Sequence, residues 1–191
     1  MKIYLASTSP RRKALLERTG LSFEVVEPRF VEKATPRPAR EEALYFATEK
    51  AFSVRKICPD ALVIAADTLI ELDGLKIGKP STPGQARAIL EKLSGKRHAI
   101  FSAVVLLNTA SGEVKNHLSE SHVTLCHLTP EEIRDYVASG EPIGKAGAYA
   151  IQGAAKKFVQ KVEGDLDSIV GLPVYKIEEW LGIQESTRLR S

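Results

Sequence analysis

The chain has 191 residues, of which 43% are hydrophobic, enough for a sizeable core and within the range of one domain. Its 27 basic and 24 acidic residues leave a net charge of only +3, dispersed along the chain, which argues against a nucleic-acid polymer as partner but not against a small anion. With no signal-peptide core, no run of about 18 apolar residues, and two widely spaced cysteines, Cys58 and Cys126, the expectation is buried thiols, a cytoplasmic location and no membrane.

In chain order, Lys2–Ala6 reads as a strand. Ser9 then caps a helix with Pro10 at its first position, and Gly20 closes it. Phe23–Val26 is a second strand. Pro28–Pro38, charged and proline-interrupted, is expected to be a mobile loop inside one domain spanning 1–191. From Arg40 to Ile57, Leu44, Ala47, Ala51 and Val54 recur at helical spacing. Leu62–Leu72 and Leu75–Gly78 form a hairpin about Asp73-Gly74, and Pro83–Leu93 is a helix. Ala99–Asn108 and Val114–Cys126 form a longer hairpin around Ser111-Gly112, and Thr129 opens a helix that runs to Ala138. Tyr149–Gln152 and Phe158–Val162 are strand-like, Pro173–Leu181 is a closing helix, and Trp180 belongs to the core. Helices alternate with strands that include hairpins, so the sheet is expected to be mixed and the class α/β or α+β.

The helix beginning at Ser9 places Arg11, Arg12 and Lys13 where helix N–H groups already concentrate positive charge. Such a start is stabilised by an anion, and its position directly after a strand is where ligands of open sheets bind. Phosphate fits, since guanidinium forks match its oxygens. Solvated arginines, or arginines paired with distant carboxylates, are the plainer alternative.

Asp67 interrupts the apolar strand Leu62–Ile70, which requires pairing, metal binding or function. A two-residue turn at Asp73-Gly74 sets Leu72 against Leu75, Ile70 against Ile77 and Thr68 against Lys79. Asp67 is then the next neighbour, on the alternate face. Either Asp67 binds a metal or activates water with Lys79 neutralising phosphate, or the two form a structural ion pair. Lys50 sits at the edge of an apolar helix face, where snorkelling to solvent is the ordinary outcome. Glu32, in the loop, carries no local signal beyond its charge.

The small-residue segment Gly144–Gly153 lets a flat ligand or another backbone approach, and Gln152 offers a donor and an acceptor suited to a nucleobase edge. It has neither a phosphate-loop Gly-Lys-Ser/Thr nor a dinucleotide fingerprint, and a packed turn explains it equally well. The histidines lack zinc spacing, and Ser7 and Ser9 lack a nucleophile context.

Taken together, Leu5-Ala6-Ser7-Thr8-Ser9-Pro10-Arg11-Arg12, Ala66-Asp67-Thr68, Gly78-Lys79-Pro80, Leu93-Ser94-Gly95, Gly147–Gly153 and Val170-Gly171-Leu172-Pro173 resemble the Maf-like nucleoside triphosphate pyrophosphatases. The motifs span nearly the whole chain in order. The resemblance implies an α/β fold with a bent mixed sheet, flanking helices and a deep cleft between two lobes. It also implies hydrolysis of a nucleoside triphosphate to monophosphate and pyrophosphate with a divalent cation (Mg²⁺, Mn²⁺ or Co²⁺), and homodimers among its members. Asp67 matches the family's base, Ser7, Arg12, Lys50 and Lys79 its phosphate contacts, and Glu32, with Asp67, its metal-side carboxylates.

Arg11, Thr68 and Gln152 match the dTTP/UTP subgroup, whereas the 7-methyl-GTP type carries Trp, Gln and Glu there. A house-cleaning role on pyrimidine nucleotides follows from that match. Asp165 and Phe101-Ser102 depart from the family pattern near the expected cleft. The competing function is a nucleotide-binding regulator of septum formation that uses the same cleft without turnover.

Overall fold

The strand Ala61–Leu72 (β3) organises the molecule: its run ALVIAADTLIEL is apolar on both faces as far as Ala66. Such a strand needs a partner on each edge and a layer on each face. In a computed structural model, which describes residues 1–183, it has both. Lys2–Ala6 (β1) lies parallel to it with Ala6 opposite Ala65, and Arg97–Asn108 (β5) lies antiparallel on the other edge. Glu24–Val26 (β2) continues the parallel side; Val114–Leu125 (β6) and Val159–Glu163 (β7) continue the antiparallel side. Leu75–Ile77 (β4) folds back on the end of β3, with Leu72 facing Leu75 and Ile70 facing Ile77. The 7-stranded sheet, in the order β2-β1-β3-β5-β6-β7 with β4 beside β3, is mixed, as the alternation of helices and hairpins implies.

Strand parity divides the layers. Val63 and Ala65 pack on Ala39, Ala43, Ala47 and Ala51 of the helix Ala39–Ser53 (α2). Ile64 and Ala66 pack on Leu15 and Leu16 of Pro10–Glu17 (α1) and on Val174 and Ile177 of Val174–Leu181 (α6). A third cluster gathers Ile70 and Leu72 with Leu90 and Leu93 of Pro83–Leu93 (α3) and with Ile133 and Tyr136 of Pro130–Ala138 (α4). By the same alternation Asp67 belongs to the α2 face and Thr68 to the α1 face. No helix among the described residues is long and apolar enough to cross a membrane.

Several expectations are corrected. Tyr149–Gln152 is not a strand: residues 146–148 form a short 3-10 turn, and Ala148 has φ 58°. The Ala150 amide donates to the Tyr136 hydroxyl and the Gly153 amide to the Ala150 carbonyl, so local partners replace a ladder. Helix α2 stops at Ser53, short of Ile57, and Thr68 does not face Lys79 because β4 ends at Ile77. A five-residue helix, Leu166–Val170 (α5), escaped the periodicity because it is too short to show one. Of the free cysteines only Cys58 is buried, and Trp180 packs half-buried on the α1/α6 cluster.

One core contact carries a pH-dependent stability. His98 on β5 is 2% exposed, and its Nε2 shares a hydrogen bond with the Tyr149 hydroxyl at 2.7 Å. Burial pushes its pKa down from 6.5 to about 4. The unfolded chain therefore takes up a proton in that window while the folded one does not, so acid favours unfolding. As pH falls from 6.5 to about 4, this group should remove on the order of 3 kcal/mol of stability. His98→Gln should unfold in urea with a shallower dependence on pH across that range; an unchanged dependence would assign the effect elsewhere.

Candidate active site

Strand β1 ends opposite Ala65, so β3 runs past it just where the chain turns into α1. Asp67 and Thr68 therefore lie beside the Ser7–Arg12 turn. Ser9 caps α1, accepting from the Arg12 amide at 3.4 Å, and Ser7 accepts from the Ser9 amide at 3.2 Å. The first turn of α1 contains no acidic residue to offset its arginines. A cleft of about 590 Å³ opens above this turn, lined by Ser7, Arg11, Arg12, Glu32, Lys50, Thr68, Lys79 and Gln152. Every site residue read from the sequence except Asp67 lines it.

Asp67 lies beneath, fully buried. Its Oδ1 is 2.5 Å from the Lys50 Nζ, and the same Nζ is 2.5 Å from Glu32 Oε1. Glu32 Oε2 in turn meets the Lys79 Nζ at 3.2 Å. The expected Asp67–Lys79 relation is thus an alternating chain, Asp67–Lys50–Glu32–Lys79. Lys50 is 7% exposed and does not snorkel. Small alanines on its helix let α2 approach β3 closely enough for the ammonium to reach the strand.

The charges respond accordingly. Burial pushes the Asp67 carboxyl above the usual range, against the pull of Lys50 and Arg12. Burial would raise Glu32 as well, but Lys50 and Lys79 together hold it down at about 2. Asp67 Oδ2, buried, has no hydrogen-bond partner within the protein.

Glu32 depends on the loop before α2, which is tied at several points. The Arg29 amide donates to Ser53 Oγ at 2.9 Å, and Phe30 packs against Tyr45 and Phe46. Buried Glu42 accepts from the Thr35 amide at 2.7 Å and pairs with Lys76 at 2.9 Å, while Lys76 also donates to the Thr35 carbonyl at 2.6 Å.

On the other face, a line of hydrogen bonds orients Arg12. Its Nε donates to the Gly171 carbonyl at 2.9 Å and its Nη2 to Thr68 Oγ1 at 3.4 Å. Thr68 and Ser102 hydroxyls are 2.9 Å apart, and Ser102 donates to the Ser168 carbonyl at 2.5 Å. A guanidinium can only donate and a carbonyl can only accept, so the Thr68 proton points at Ser102 and its lone pairs face Arg12. Asp165 caps α5, accepting from the Ser168 amide at 2.7 Å and hydroxyl at 2.6 Å. Ser102 and Asp165 thus build the support under the cleft. Gly171 has φ 132°, and a Cβ there would sit 3.3 Å from Thr68 Oγ1, so the turn needs both its backbone freedom and its small size. Sequence reasoning missed this support because its residues come from β3, β5 and α5, with no spacing in common.

Among the described residues no group of three or more His, Cys, Asp or Glu side chains gathers as a metal cage. Two carboxylates, Glu32 and Asp67, converge on one ammonium, and the second carries the unpartnered oxygen. That donor set suits an ion held by one or two carboxylates plus substrate phosphates, the usual manner of Mg²⁺.

The model of the Maf-like protein family matches residues 2–183. The chain belongs to the Maf-like family. A relative named dTTP/UTP pyrophosphatase, from Moorella thermoacetica, is 43% identical over 185 residues, covering 95% of this chain and 94% of the relative. Another of that name, from Carboxydothermus hydrogenoformans, is 39% identical over 184 residues, covering 94% and 99%. The solved structure of the Staphylococcus aureus Ham1 protein is similar with a TM-score of 0.53 over 95% of this chain and 98% of that one. At 14% identity it shows that this Maf-like chain shares that fold.

Proposed function

We propose that this chain, acting as one catalytic domain, hydrolyses nucleoside triphosphates, dTTP and UTP foremost, to the monophosphate and pyrophosphate. The observation that carries the reading is the Lys50 ammonium held at 2.5 Å by both Asp67 and Glu32 at the floor of a cleft lined with cations. The names of the relatives support the substrate class.

Arg12, already oriented by Gly171 and Thr68, has further N–H groups to offer phosphate oxygens, and Ser7 borders the same turn. Lys50 and Lys79 exchange their carboxylate partners for phosphate oxygens as the triphosphate enters. That exchange frees Asp67 and Glu32 together. Asp67 then accepts a proton from a water whose oxygen bonds to the α-phosphorus, while the bond from that phosphorus to the bridging oxygen breaks and pyrophosphate leaves. A carboxyl raised by burial is a stronger base than a free one once ionised. A divalent cation held by Glu32 and Asp67 supplies charge neutralisation on the phosphates when bound. Arg11 and Gln152 face the base. Free nucleotides as substrate agree with a cytoplasmic enzyme.

The test is product identification with Mg²⁺, Mn²⁺ and Co²⁺ across nucleoside triphosphates in ¹⁸O-labelled water. Label should appear in the monophosphate and not in pyrophosphate. Orthophosphate as the first product, or label in pyrophosphate, overturns the reading.

A further inference from the structure

The turn that carries Gln152 is held from outside by two side chains that the mechanism does not use. Gln152 is exposed and lines the cleft, at the middle of residues 150–154. Two residues before it, the Ala150 amide donates to the Tyr136 hydroxyl oxygen at 3.2 Å. Two residues after it, the Ala154 amide donates to Glu141 Oε2 at 3.1 Å. The Tyr136 hydroxyl donates to Glu141 Oε1 at 2.8 Å, so both anchors form one unit.

That unit is itself fixed. Tyr136 is 4% exposed on α4 and packs edge-on against Phe158. The Glu141 amide donates to Ser139 Oγ at 3.2 Å, and its carbonyl accepts from the Lys145 ammonium. Burial works to raise the Glu141 carboxyl, yet the Tyr136 hydroxyl and the Ala154 amide hold it below its ordinary value, so it is an anion in place.

Gly153 gives an independent sign of the clamp. Its φ of −98° is open to any residue, but a Cβ there would lie 2.3 Å from Glu141 Oε1. Glycine leaves the space that the carboxylate fills. Neither Tyr136 nor Glu141 lines the cleft.

We propose that Glu141, acting with Tyr136, is a specificity-positioning residue: the pair clamps the 150–154 turn and sets where the Gln152 amide meets the base. The inference rests on the reading of Gln152 as the base contact.

The experiment compares the full chain with Glu141→Ala, Glu141→Gln, Tyr136→Phe, Gln152→Ala and the Glu141→Ala/Gln152→Ala double variant on UTP and CTP. Misplacing the amide should raise KM for UTP about tenfold in Glu141→Ala, keep kcat within about threefold, and shrink the preference for UTP over CTP by a similar factor. Glu141→Gln, which keeps one acceptor oxygen, should recover part of that preference, and the double variant should lose no more than Gln152→Ala alone. Hydrogen exchange at Ala150 and Ala154 should quicken in Glu141→Ala. Tyr136→Phe removes a single hydroxyl and carries the same kinetic expectations should Glu141→Ala fail to fold. Equal losses on both nucleotides, or losses that add to those of Gln152→Ala, overturn the proposal. Gln152→Ala with an intact UTP preference overturns the underlying reading instead. Unchanged exchange at Ala150 and Ala154 overturns the clamp, whatever Gln152→Ala does.

Discussion

Asp67→Asn is expected to lower kcat for nucleoside triphosphate hydrolysis by about 10³-fold while leaving the protein folded, since removing a general base costs roughly 10²–10⁴ in rate. The expectation separates two roles of one carboxylate. Structurally, Asp67 is a buried acceptor for the Lys50 ammonium at 2.5 Å. An Asn oxygen can accept the same hydrogen bond, and Lys50 keeps Glu32 as its charge partner. The amide nitrogen replaces an oxygen that has no partner within the protein, so the added cost in stability is about 1–3 kcal/mol. Chemically, the amide cannot take a proton from water. Thermal unfolding and kcat measured on the same preparation decide the matter. A folded Asp67→Asn with kcat within tenfold of the natural chain would remove Asp67 as the base.

How much of this was legible in the sequence depends on the range over which each signal acts. Local rules reached far: Ser9 and Thr129 cap helices with proline after each. The Asp73-Gly74 turn fixed the register of Leu72 on Leu75 and Ile70 on Ile77. Strand parity placed Asp67 and Thr68 on opposite faces, which is how one strand serves both the ion chain and the Arg12 support. Lys50 was misread locally, because nothing in helical periodicity says that an alanine-faced helix will press close to a strand holding a buried carboxylate. The partner of Lys79 was misjudged for a related reason. Glu32 arrives from a loop whose anchors, Ser53, Glu42 and Lys76, lie on α2 and β4. Motif resemblance named Lys50 and Glu32 without the geometry that links them. The Tyr149–Gln152 segment failed as a strand because side chains, Tyr136 among them, took the backbone partners that a ladder would have taken.

Arg12→Lys is expected to reduce kcat/KM by about 10²-fold even though it preserves the charge, because the guanidinium at this site holds two directions at once. Its Nε is committed to the Gly171 carbonyl at 2.9 Å and one Nη2 hydrogen to Thr68 at 3.4 Å, which leaves the rest of the fork for phosphate. An ammonium on a flexible stem must choose among these acceptors, and its commitment to either protein group draws it off the phosphate. Burial also lowers the affinity of Arg12 for its proton, against which Asp67 and Glu32 pull, so the residue suits a site that is completed by an anion. Arg12→Ala should be worse than Arg12→Lys by no more than about tenfold, since most of the loss lies in orientation and not in charge. Ser102→Ala, which frees the Thr68 hydroxyl to turn, should reproduce a small part of the defect with Arg12 intact. Steady-state kinetics on UTP rank the three. Wild-type kcat/KM in Arg12→Lys would mean that charge alone at the start of α1 holds the triphosphate, and that the line from Thr68 through Ser102 to Ser168 serves the fold and not the substrate.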